Sequence, residues 1–223
     1  MIAPKILVAI KSCLRDLDLG FHDIIKSTWG ADLAGKADLR FFTGEDTRPR
    51  EQGHIMLHVA DDYNSLAKKT RHICRWMSGK VYDYIFLADT DTYVSVRKLL
   101  SSGFEPYDYA GKIDRSYSET FAYTAINRDG ELEHHISCYP WASGGYGYML
   151  SRRAAIKVAD SEHISYAEDL TVGNVLGPSI RSGEMLALHI PGDTISWHHP
   201  EHGEIYTKEK MATWMNKMHK ENR

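Results

Sequence analysis

Short, continuously apolar runs alternate with helical stretches through the first half of the chain, and that alternation points to an α/β sheet. Ile6-Leu7-Val8-Ala9-Ile10 and Tyr84-Ile85-Phe86-Leu87-Ala88 carry no polar face, so each suits a strand covered on both sides. Strands are expected at 5–10, Asp38–Thr43, His54–Val59 and Tyr84–Ala88. Between them, Leu19–Thr28 spaces Phe21, Ile24 and Ile25 as one helical face, and Asn64–Ser78 does the same with Leu66, Ile73, Trp76 and Met77. A further helix is expected at Val96–Ser101, then Ser151–Ala159 behind a capping serine, then Glu168–Leu176, stopped by Gly177-Pro178. The tail Lys208–Lys220 is amphipathic, with Met211, Trp214, Met215 and Met218 on one side. Residues 103–140 break the pattern; they are rich in Tyr, Ser and Asp, and Asn127-Arg128-Asp129-Gly130 makes Gly130 a hairpin tip. With no repeat, low-complexity segment or linker, one domain over 1–223 is expected.

The chain has 223 residues, 43% hydrophobic and 26% charged, enough for a sizeable core. A formal net charge of -3 gives no basic field, which argues against nucleic acid or an anionic membrane as partner. An anionic ligand must then be held by a few cations, backbone amides or a metal. No run reaches transmembrane length, and Met1 leads straight into a buried strand rather than an export signal. Cys13, Cys74 and Cys138 are odd in number and form no CxxC pair, as reduced thiols in a cytosolic protein would. A soluble, cytoplasmic enzyme is the expectation, unless the sequence is a trimmed catalytic domain.

The Tyr84–Ala88 strand ends at Asp89-Thr90-Asp91. Ligands of open α/β sheets sit beyond the carboxyl ends of the strands. Two carboxylates placed there repel unless a cation neutralises them, and their hard oxygens suit Mg2+ or Mn2+ bridging a diphosphate. A helix cap or turn is the plainer role for the same residues. An apolar strand followed by Asp-x-Asp also opens the haloacid-dehalogenase-like phosphatases, but there in the first strand, whereas other strands precede it here. Gly192-Asp193 is only a vague counterpart of their later acidic motif.

Other clusters stay open on the residues alone. Ser143-Gly144-Gly145-Tyr146-Gly147-Tyr148 is either a sugar or phosphate shelf or a tight turn into a helix. Glu168-Asp169 either complements the helix dipole or supplies a general base. His198, His199 and His202 suggest zinc, with His134, His135 or Cys138 as a fourth partner. Neighbours on a strand face opposite ways, so one histidine completing the aspartate site is the more economical arrangement. The tyrosines and tryptophans of 103–141 fit either sugar stacking or core packing.

Several segments, in order, resemble the fringe and β-1,3-galactosyltransferase group of inverting glycosyltransferases. They are Ser27-Thr28-Trp29-Gly30, Phe41-Phe42-Thr43-Gly44 and the run from Asp61-Asp62-Tyr63-Asn64 to Thr70, followed by Asp89-Thr90-Asp91-Thr92-Tyr93-Val94. Tyr139-Pro140-Trp141-Ala142-Ser143-Gly144-Gly145, near the core-1-type form, comes next, then Glu168-Asp169-Leu170-Thr171-Val172-Gly173 and Trp197-His198. Residues 103–135 and the tail beyond 203 match poorly. The resemblance implies a single GT-A, Rossmann-like domain with a mostly parallel central sheet flanked by helices. It also implies a UDP-sugar donor, Mn2+ (or Mg2+), and a glycan or glycoprotein acceptor taking a hexose or N-acetylhexosamine in β-linkage, β-1,3 in the group's name. Carried over by position, Asp91 and His198 hold the metal, and Asp89 the ribose, a metal-bound water or the metal itself. Asp169 becomes the catalytic base. Thr90, Gly144, Gly145 and Glu168 line the nucleotide-sugar. Thr90 stands where the family often has a third carboxylate, and no disulfide pattern of the membrane-anchored animal members is visible, which points to a microbial or viral origin. A sugar-binding homologue without catalysis is the competing class.

Overall fold

The computed structural model describes residues 3–46, 53–113, 121–126, 132–137, 139–162, 167–200 and 207–223, with only the backbone of 121–126 and 132–137. In chain order the first elements are β1 (Ile6–Lys11), α1 (Leu14–Asp18), α2 (Phe21–Ser27), β2 (Asp38–Thr43), β3 (His54–Met56), α3 (Leu66–Ser78) and β4 (Tyr84–Asp89). Then come β5 (Thr92–Val94), α4 (Val96–Leu100), β6 (Tyr109–Gly111), β7 (Phe121–Ile126), β8 (Leu132–Ser137) and β9 (Tyr148–Ser151). The chain closes with α5 (Arg152–Asp160), α6 (Glu168–Arg181), β10 (Ala187–His189), β11 (Ser196–His198) and α7 (Lys208–Asn222).

The apolar runs meet in a seven-stranded sheet of order β10-β6-β9-β4-β1-β2-β3. β1 is parallel to β2 and β4, β2 to β3, and β6 to β10. β9 is antiparallel to both its neighbours, β4 and β6, so the sheet is mixed and every strand but β9 runs the same way. This is a Rossmann-like α/β fold with helices on both faces. Strand periodicity divides the core in two. Leu7, Ala9, Ile85, Leu87, Tyr148 and Leu150 pack under α3, α5 and α6. Val8, Ile10, Phe86, Ala88 and Met149 pack under α2 and α7. Each fully buried large side chain of this kind contributes about 1.5–3 kcal/mol over its exposed state.

The expected tail helix and its face are present: Met211 and Met215 are buried, with Trp214 and Met218 against the same cluster. Ser151 caps α5, its side chain accepting from the Ala154 N–H. Other expectations need correction. α6 runs through Gly177-Pro178 instead of stopping there. Beyond the proline, the Ser182 N–H still donates to the Pro178 carbonyl at 3.0 Å, and Ser179 is buried with its hydroxyl against Lys157 at 2.7 Å. Tertiary packing there outweighs the hydrogen bond that proline cannot make. The glycine run does not turn into a helix: a 3-10 turn, Gly144–Tyr146, leads into β9, and α5 follows only after it. The irregular stretch 103–140 contains β6 and the antiparallel pair β7–β8; Gly130, the expected tip, lies outside the described residues. Cys13 and Cys74 are free thiols, and Cys138 is likewise outside them. Among the described residues, no helix is long and apolar enough to cross a membrane.

Candidate active site at the carboxyl edge of the sheet

β1 and β4 run in register, with Lys11 opposite Asp89. Both residues fall on the α3–α5–α6 face, because they continue the alternation of Leu7 and Ala9 in one strand and of Ile85 and Leu87 in the other. Lys11 is only 3% exposed, and its ammonium lies 3.1 Å from Asp89 Oδ1 and 2.8 Å from Glu168 Oε1. A buried ammonium costs several kcal/mol unless paired; here two carboxylates compensate it. Burial alone would lower its pKa, yet Asp89 and then Glu168 leave it raised. The Asp89 carboxyl, in turn, is pushed up by burial to about 6 despite Lys11.

Beyond β4 the chain turns through Thr90 and Asp91 into β5, which pairs antiparallel with β11 and sets His198 opposite Thr92. His198 Nε2 lies 3.2 Å from Asp91 Oδ2. Burial lowers the His198 pKa, but the Asp91 hydrogen bond and charge overcome it and the net shift is upward. Asp89, Asp91 and His198 each offer a ligand atom within 4.8 Å of the other two. Two hard carboxylates and one imidazole fit a divalent ion of the Mg2+ or Mn2+ kind. Thr90 does not extend this cluster: its hydroxyl donates to Asp16 Oδ2 at 2.5 Å, bracing α1 against the loop.

The Gly144–Tyr146 turn lies between the two sides of the site. A Cβ on Gly144 would come within 2.7 Å of Glu168 Oε2, and one on Gly145 within 3.0 Å of the His198 ring. The Gly144 N–H donates to Asp169 Oδ2 at 3.2 Å, and the Leu170 N–H to Oδ1 at 2.9 Å. Successive glycines thus touch the carboxylates that open α6 and the histidine of the candidate metal cluster. Burial, then the charge of Glu168, pushes the Asp169 carboxyl up to about 6, the range in which a carboxylate both ionises and accepts a proton well near neutrality.

Residues 23–179 match the Galactosyltransferase family. The chain belongs to this family. No curated protein matches its sequence. Among solved structures, it is similar to a glycosyltransferase involved in glycosylation of the major capsid of PBCV-1, at 10% identity and TM-score 0.51, covering 96% of this chain and 100% of that one. It is likewise similar to the inositol-1-phosphate CTP transferase from T. maritima, at 11% identity and TM-score 0.50, covering 96% of each chain. At such identities the likeness is one of fold: a GT-A-like architecture that glycosyltransferases and nucleotidyltransferases have in common.

In this Galactosyltransferase-family chain the neighbouring histidines separate as strand geometry requires. His198 meets Asp91, while His199 is buried with its ring 4.8 Å from that of Trp214. Of the wider zinc set, His202, Cys138 and the side chains of His134 and His135 lie outside the described residues. Asp193 is exposed, in a left-handed turn at φ 58°. Lys11 and Tyr148 were not singled out by sequence reasoning. A lysine closing a wholly apolar parallel strand is the signal that marks Lys11; nothing local marks Tyr148. Substituting Gly145→Ala is expected to weaken Mn2+ binding by roughly tenfold, as the new methyl displaces the His198 ring by a few tenths of an ångström. Calorimetric titration of Mn2+ in the presence of UDP measures this, and unchanged affinity would separate His198 from the metal.

Proposed function

We propose that this protein is a metal-dependent, inverting glycosyltransferase. It moves a hexose or N-acetylhexosamine from a UDP-sugar to a hydroxyl of a glycan or glycoprotein acceptor, forming a β-linkage. The observation that carries the reading is the glycine turn, which sets Asp169 on one side and His198, with Asp91, on the other. In this reading Asp91 and His198 hold Mn2+ or Mg2+, with Asp89 as a third ligand or as the partner of the ribose. Held there, a divalent ion would supply positive charge against the departing diphosphate. Gly144 and Gly145 let the turn backbone pack directly against Glu168 and His198, since any side chain there would meet them.

Asp169 acts as the base. Its carboxylate takes the proton of the acceptor hydroxyl while that oxygen attacks the anomeric carbon from the face opposite the diphosphate. The bond to the diphosphate breaks ahead of full attack, through an oxocarbenium-like state. One displacement inverts the configuration, so an α-linked donor yields a β-linked product. Lys11 stays charged beneath the carboxylates and holds Asp89 in place.

The direct test presents UDP-sugars with Mn2+, with and without chelator, and follows UDP release and sugar transfer. Turnover that chelation abolishes is the expected result. Nucleotide binding without turnover across donors and acceptors would identify a sugar-binding homologue, and phosphate release from a simple ester would identify a phosphatase.

A further inference from the structure

Glu168 stands beside Asp169 in the first turn of α6, where both acids complement the helix dipole. Their surroundings differ sharply. The Glu168 side chain is 3% exposed. Its Oε1 accepts from Lys11 Nζ at 2.8 Å and from the Tyr148 hydroxyl. Its Oε2 faces the Gly144 Cα, where a methyl group would be only 2.7 Å away. A carboxylate so enclosed has little oxygen surface left for a ligand. Lys11 carries the same network on to Asp89 at 3.1 Å.

We propose that Lys11, Glu168 and Tyr148 are positioning residues for the reaction: they fix the start of α6, and hence Asp169, against β1, β4 and β9, and Glu168 makes no contact with the donor. The inference rests on Asp169 being the base and reassigns its neighbour from donor binding to support. Its physical basis is the cost of buried charge. Lys11 and Glu168 tolerate burial because they pair, and the pairing leaves the helix start one placement relative to the sheet. Tyr148 adds a second donor from β9, the strand that the glycine turn feeds. The Gly144 amide, bonded to Asp169, is then held from both ends. One ammonium thus joins the metal side of the site, through Asp89, to the base side, through Glu168.

Two substitutions and two readouts test this. Tyr148→Phe removes a single hydroxyl, and Glu168→Gln keeps shape while removing charge. For each, kcat is expected to fall about 10–100-fold, the scale on which supporting partners act. KM for the UDP-sugar and Mn2+ affinity should stay within about twofold. Hydrogen exchange supplies the readout that needs no turnover: the Gly144 and Leu170 amides should lose protection by about tenfold, while strand amides such as Val8 and Phe86 keep theirs. If Glu168→Gln fails to fold, Tyr148→Phe decides alone. A donor KM raised tenfold with kcat held would overturn the proposal, because Glu168 would then touch the donor. Unchanged kcat and unchanged exchange would overturn it as well. If the unsubstituted protein transfers no sugar from any donor, the functional reading fails, and exchange still decides whether the network places Asp169.

Discussion

Asp169→Asn is expected to lower kcat by about 10²–10⁴-fold, the usual contribution of a positioned general base, while binding of UDP-sugar and Mn2+ is retained. Asparagine keeps the size of the side chain and one acceptor oxygen, enough for the Gly144 or the Leu170 amide but not for both. The main loss is therefore proton removal, with one backbone hydrogen bond lost beside it. The pH profile gives the sign. The wild-type carboxyl, pushed up to about 6 by burial and by Glu168, is ionised above that pH and protonated below it. The rate should therefore fall as pH drops through about 6, and the limb should be shallower in the asparagine variant, where Asp89, also pushed up to about 6, is left to titrate there. Stability moves the other way. A carboxyl whose folded pKa lies above its unfolded value binds more protons in the folded state, so its contribution grows as pH falls from about 6 towards its ordinary range. At neutral pH Asp169→Asn removes the cost of the buried charge but leaves one backbone amide without its acceptor. The two effects oppose, so its melting temperature should stay close to that of wild type; measured beside kcat, this separates lost chemistry from lost folding. Wild-type kcat in this variant would move the base elsewhere.

The second large effect is expected from Asp91→Ala, which should lose metal-dependent nucleotide binding as well as transfer, with kcat/KM down by on the order of 10³-fold. The substitution removes one of the two carboxylates in the cluster and the hydrogen bond that orients His198. Thermal shift with Mn2+ and UDP reads it directly: wild type is stabilised by mass action, and the variant is not. Equal stabilisation of both would place the metal away from Asp91. The contrast with Asp169→Asn is the useful one, since one variant keeps the donor and the other releases it.

Much of this arrangement is legible in the residues themselves. β1 and β4 are long and apolar, and β2 gathers its apolar residues around Phe41 and Phe42, so hydrophobic pattern locates all three to within a residue. Asp89 and Asp91 are marked by standing just past such a strand. What the pattern misses is short. β5, β6 and β10 have three residues each, too few for any period to show, and they exist because neighbours supply the hydrogen bonds. β9 hides behind the glycines, whose turn geometry looked like the start of a helix. Pro178 misleads for the opposite reason, since a strong local rule gives way to the packing of α6 on α3 and α5. Lys11 and Tyr148 escape because their roles depend on a partner more than a hundred residues away for one and twenty for the other. Such couplings exist only once the sheet has formed.

The reversed direction of β9 has a further consequence. β6 ends at the same edge of the sheet as β4, and an antiparallel β9 begins there, so the chain between them leaves and returns on the ligand side. The bridge between Ile113 and Ala142 draws the two ends of that excursion together, and the β7–β8 hairpin is carried on it. Residues in the hairpin can therefore be lengthened, shortened or exchanged without altering the register of any strand that holds Lys11, Asp89 or Tyr148. Under the proposed function, this excursion is the part of the chain whose sequence can change with the acceptor while the strands that hold Lys11, Asp89 and Tyr148 stay as they are.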